Sequence, residues 1–121
     1  MPDDAFTRGA RLFDTGAFFE AHEAWEEHWR VEPDETQRRF LQGLIQIAAA
    51  FHKLFVMDSP GSASRLLAKG LAKLDACREQ VAERGLAAFR DGTAAYARAV
   101  AAGRIDRVAV PRMLAKDEGT S

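Results

Sequence analysis

Asparagine is missing from the 121 residues, cysteine occurs once, and valine, isoleucine and threonine together number 14 against 23 alanines. A lone Cys77 excludes an intrachain disulfide, and scarce β-branching beside abundant alanine disfavours strands throughout. Hydrophobic runs are short as well. The longest weakly charged stretch, Phe40 to His52, contains Gln42 and Gln46 and covers 13 residues, against the roughly 20 that a bilayer demands. It reads as a buried core helix, and no membrane partner is expected. Basic runs are also lacking: 17 Lys and Arg balance 18 Asp and Glu for a net charge of -1, which removes the electrostatic footprint of nucleic-acid binding. The start, Met1-Pro2-Asp3-Asp4, has neither a basic region nor an apolar signal core, so a cytoplasmic protein is expected.

What is present is the composition of a globule, with 47% hydrophobic and 29% charged residues. A chain of this length buries about two-thirds of its unfolded surface and needs no metal to stabilise it. The expectation is an all-α fold, a compact bundle of about five helices with a C-terminal extended arm: one domain over residues 1–115 and a frayed tail over 116–121.

Apolar period and punctuation place the helices. The first spans about Asp4 to Asp14, with Phe6, Ala10 and Phe13 on one stripe and Gly16 as its stop. The second runs from near Ala17 to Arg30. A short connector, Val31 to Asp34, makes the third helix, Glu35 to Met57, an antiparallel neighbour, with Asp34 or Thr36 as its cap. The third is apolar over most of its girth and should be central. Ser62 or Ser64 caps a fourth helix carrying Leu67, Leu74, Cys77 and Val81, and a fifth carries Leu86, Phe89, Tyr96 and Val100, with Asp91-Gly92 as a break point. Ile105 to Leu114 reads as the extended arm around Pro111.

Chemistry concentrates on the second helix. With about 100° per residue and His22 at zero, Glu26 falls near +40°, Phe18 near -40°, Phe19 near +60°, Trp25 near -60° and Trp29 near -20°. An imidazole and a carboxylate one turn apart therefore lie within an aromatic stripe, while Glu20, Glu23 and Glu27 form an acidic flank. Burying such a pair requires partners. Counting outward from the connector sets His22 opposite Gly43, whose missing side chain leaves a pocket flanked by Gln42 and Gln46. His52 falls further along, near Asp14 and Thr15, where a hydrogen bond to that turn is its expected role. His28 is expected to be exposed.

His22-Glu23-Ala24-Trp25-Glu26 differs from the zinc-protease motif in ending on Glu rather than His, and no His has Glu three residues before it, as di-iron bundles require. Phosphate loops, nucleophile elbows and Cys/His metal spacings are missing too.

Leu12-Phe13-Asp14, Gly16, Phe18 to Glu23, Trp25-Glu26, Trp29, the run Phe40 to Gln46, Ala48 to Ala50 and His52 together closely resemble the bacterial and archaeal domain of unknown function family 309. The resemblance spans residues 9–53, with Val110-Pro111-Arg112 similar to the family's ending. It implies a small helical bundle and carries over His22, Glu23, Glu26, Gln42, Gln46 and His52; some members bear the label of metal-dependent hydrolases.

Two readings follow. In the first, a non-catalytic binding or interaction module buries the His22, Glu26, Gln42 and Gln46 cluster, with Gly43, Trp25 and His52 beside it. No cofactor is expected there, and the partner is a small ligand, a protein or a second copy in a homo-oligomer. In the alternative, a hydrolase uses Glu26 to orient His22 as general base, assisted by Glu23 or a divalent metal.

Overall fold

The computed structural model describes residues 4–104 and 109–114; the expected tail over 116–121 and the first part of the arm lie outside them. The fold is all-α, with six helices and no strand among the described residues: α1 (Ala5–Asp14), α2 (Phe18–Val31), α3 (Glu35–Phe55), α4 (Pro60–Ala76), α5 (Arg78–Glu83) and α6 (Ala87–Ala102). α1 packs on α2, α3 lies between α2 and α4, and α6 covers α4.

Local chemistry sets most helix ends. Asp4 caps α1 by accepting from the Thr7 amide at 2.8 Å, and that hydrogen bond holds its carboxyl below the ordinary aspartate range. Gly16, at φ +87, ends the helix in a left-handed turn in which the Ala17 amide donates back to the Leu12 carbonyl at 2.9 Å, a conformation glycine adopts without a Cβ penalty. Asp34 caps α3 through the Gln37 amide at 2.8 Å.

Two boundaries differ from expectation. α4 begins at Pro60, whose fixed φ suits the first helical position, rather than after a capping Ser62 or Ser64. The fourth helix also breaks at Cys77, where φ -119 and ψ 49 leave the α region. Cys77 is buried there, its thiol donating to the Thr36 carbonyl at 3.8 Å, and burial pushes the thiol pKa up. The break lets α5 turn Val81 and the following Leu86 inward. α6 runs unbroken through Gly92, and Pro111 of the arm packs into the space where a side chain there would stand.

Phe13 is the hub of the core. Its ring meets Phe18 at 5.0 Å, Phe51 at 5.6 Å and Phe89 at 5.5 Å, so α1, α2, α3 and α6 converge on one side chain. α3 and α4 cross at glycines: a Cβ on Gly70 would stand 2.6 Å from Ile47 Cγ1 and 2.8 Å from the Gly43 carbonyl oxygen. Gly70→Ala must push the two helices apart and is expected to destabilise by about 1–3 kcal/mol in chemical denaturation.

Candidate functional site

The buried face of α2 is set by Phe18, Ala21 and Trp25, which puts its centre about 60–100° round the helix from His22. α1 causes this rotation. Trp25 is fully buried, its indole Nε1 donates to the Phe6 carbonyl at 3.1 Å, and its ring lies over Gly9. Trp25 is thus a core residue in this structure, packed against α1.

His22 and Glu26 are left at the edge of the core rather than inside it. His22 is half-buried and stacks on Phe19 at 6.0 Å and 11°. Its Nδ1 is shielded yet without a hydrogen-bond partner among the described residues. Glu26 accepts instead from Arg30 Nη2 at 3.3 Å, so the expected His22–Glu26 pair is not formed. Glu23 is exposed on the outer flank with Glu20 and Glu27, the last paired to Arg8 at 3.5 Å.

The expected pocket opposite His22 is also corrected. Gly43 faces Gly70 across the α3–α4 crossing, and Gln46 accepts from Lys73 Nζ of α4 at 3.0 Å. Gln42 is half-buried one turn before it. The pairs that do meet across the hairpin, Trp29 with Arg38, Phe18 with Phe51 and Phe19 with His52, sit from half a turn to more than one and a half turns further along α3 than equal spacing from the connector gives. That slip brings His52 to Phe19, with ring centroids 5.4 Å apart, and gives it no hydrogen bond to the Asp14–Gly16 turn among the described residues. His22 and His52, expected in separate neighbourhoods, both contact the Phe19 ring.

A groove of about 430 Å³ opens where α2 begins and α3 ends, lined by Ala17, Phe18, Phe19, Glu20, His52 and Val56. Phe19 at 47% and Val56 at 68% exposure line it, and Phe55 at 48% and Met57 at 55% neighbour Val56 in the chain where α3 ends, so four of the five large hydrophobic side chains left exposed among the described residues belong to these two segments. Scattered exposed apolar residues are ordinary, but a cluster at one end of a small bundle marks a contact surface. Phe19 and Val56 could have been suspected from sequence only if the rotation of α2 and the end of α3 had been known.

Polar features elsewhere were not legible. His28, expected to be exposed, is part-buried with Nε2 at 3.0 Å from Glu32, and Arg38 donates to the Trp29 carbonyl at 2.7 Å while lying 4.3 Å over its ring. These contacts lock the hairpin connector. A further cavity, about 600 Å³, is lined by Leu74, Asp75, Arg78, Val81, Arg90 and Asp91. Three of its charges pair: Arg90 donates to both Asp75 oxygens at 2.9 and 3.0 Å and to Asp91 at 3.4 Å, and the Arg90 hydrogen bonds depress the Asp75 pKa. Among the described residues no group of three or more His, Cys, Asp or Glu is arranged to hold a metal ion, and no helix is long and apolar enough to cross a membrane.

With no buried polar network around it, His22→Ala is expected to change stability by no more than about 0.5 kcal/mol in urea denaturation. A loss of 2 kcal/mol or more, roughly the cost of orphaning buried polar groups, would restore the buried-network reading.

The arrangement defines a helical bundle with an exposed aromatic and imidazole patch at one end. The family described as Domain of unknown function (DUF309) matches residues 6–66, about half of the chain, and the chain belongs to that family. It is similar to Uncharacterized protein YpuF of Bacillus subtilis (strain 168), with 35% identity over 72 residues, which are 60% of this chain and 41% of that protein. The chain therefore matches well under half the length of this curated relative. No solved structure matches it.

Proposed function

We propose that this protein is a non-catalytic interaction module whose groove between the start of α2 and the end of α3 takes an amphipathic, basic helix of a partner protein. The observation that carries the reading is that Phe19 and Val56 line one groove while 47% and 68% exposed, with exposed Phe55 and Met57 beside Val56 where α3 ends. Such a surface suits the apolar face of a helix laid into it, with anchors at three- and four-residue steps. The sign of the partner's charge follows from the rim. Glu20 lines the groove and Glu23 stands one turn along α2, and neither forms an ion pair among the described residues. Lys53, next to His52 on α3, is turned onto the Met57 sulfur at 4.0 Å.

The hydrolase alternative asks Glu26 to orient His22, whereas that carboxylate sits on Arg30. The groups invoked are thus not assembled as a nucleophile–base–orienter relay.

Titration of a fluorescein-labelled amphipathic Leu/Lys peptide, with a Leu/Glu peptide of the same pattern as control, tests the reading by fluorescence anisotropy. The Leu/Lys peptide is expected to bind at least roughly tenfold more tightly. Equal affinity, or none, overturns the reading. So does a dimer in analytical ultracentrifugation that Val56→Asp dissociates, because a second copy would then be the occupant.

A further inference from the structure

A second cleft adjoins the groove and is walled on one side by residues 110–112. Residues 109–114 form no helix or strand, yet they are seated firmly: the two Asp14 carboxylate oxygens accept from the Met113 amide at 2.8 Å and the Leu114 amide at 2.9 Å. Met113 is 5% exposed and joins the core, while Pro111 Cβ stands 3.0 Å from where a Cβ on Gly92 would be. Between this arm and the aromatic cluster lies a cleft of about 360 Å³, whose walls include Phe18, Phe55, Val110 and Pro111. Phe18 and Gly16 line both this cleft and the groove, so the α1–α2 turn is their common wall. Asp14, which ties the arm down, is the last residue of α1 beside that wall.

We propose that the arm over residues 109–114 is an autoinhibitory strap, its seat being the continuation of the docking groove over Phe18 and Phe55. This inference rests on the docking reading above. A partner helix extending past Phe18 meets the arm, so full engagement requires the arm to leave. The hold is suited to release. It consists of two charge-assisted hydrogen bonds to one carboxylate, the buried Met113, partly buried Val110 and Leu114, and Pro111 against Gly92, without the cooperative ladder that makes a helix or strand open only with the whole core. The apparent affinity of the groove is then reduced by the fraction of molecules whose arm is seated.

Asp14→Ala removes both acceptors, and Met113→Ser independently weakens the apolar anchor. The full-length wild type and both variants are titrated with the Leu/Lys peptide, while the dye ANS reports exposed apolar surface and far-UV circular dichroism reports helix content. The expected result is peptide binding tightened roughly threefold to tenfold in each variant, with higher ANS fluorescence and unchanged helix content. Peptide binding that is present but equal in all three proteins overturns the strap and leaves the docking surface standing. Failure of the peptide to bind any of them overturns the docking reading and the strap with it.

Discussion

Trp25→Ala is expected to lower stability by about 3–5 kcal/mol, read as a fall of roughly 10–20 °C in melting temperature. The ring is fully buried, lies 6.3 Å from Phe13, and supplies the indole N–H that satisfies the Phe6 carbonyl. Its removal leaves a cavity and deletes a side-chain hydrogen bond that joins α2 to α1. Gly9→Ala attacks the same contact from the other side, since a Cβ there would stand 2.3 Å from Trp25 Nε1 and 2.5 Å from Cε2. The ring must move or α1 must lift away. Because the two lesions share one space, the double variant Gly9→Ala/Trp25→Ala is expected to cost less than the sum of the single ones, the new methyl partly filling the hole. Strict additivity in a urea double-mutant cycle would show that Trp25 and Gly9 are not the packed pair described.

Phe19→Glu is expected to abolish Leu/Lys peptide binding, a loss of at least roughly thirtyfold if Phe19 behaves as a central anchor worth 2 kcal/mol or more. Half of its surface is already in water, so folding depends little on it, and thermal unfolding should move by only a few degrees. That separation matters: a variant that loses binding while keeping its melting temperature assigns Phe19 to the contact surface. Binding that survives Phe19→Glu would place the peptide elsewhere on the bundle.

Where chemistry is local, the sequence was legible. Asp34 acts as a cap, Gly16 ends α1, and α3 is the central helix with apolar residues round most of its girth. The break at Cys77 carries no glycine or proline; it exists because Val81 and Leu86 must reach the core, which only the tertiary arrangement specifies. Gly92 invites a break by its identity, yet its missing side chain makes room for Pro111, some twenty residues later in the chain. The site was read less well for a related reason. A helical apolar stripe is about 100° wide or more, and its centre depends on what covers it. α1 claims Trp25, which rotates His22 and Glu26 to the rim and lifts Phe19 into the open. Gly43 was expected to leave a pocket opposite His22, but its missing side chain lets α4 approach closely at Gly70 instead. The separation expected between His22 and His52 failed because the hairpin partners are staggered along α3, so that one phenyl ring bridges both imidazoles.

Chemical-shift mapping of the uniformly ¹⁵N-labelled full-length protein titrated with the Leu/Lys peptide tests the docking surface most directly. The account predicts that the largest amide perturbations fall on Ala17 to Glu20, His52 and Phe55 to Met57. Perturbations centred on the Asp75–Arg90 cavity, or spread evenly over all six helices, would contradict it.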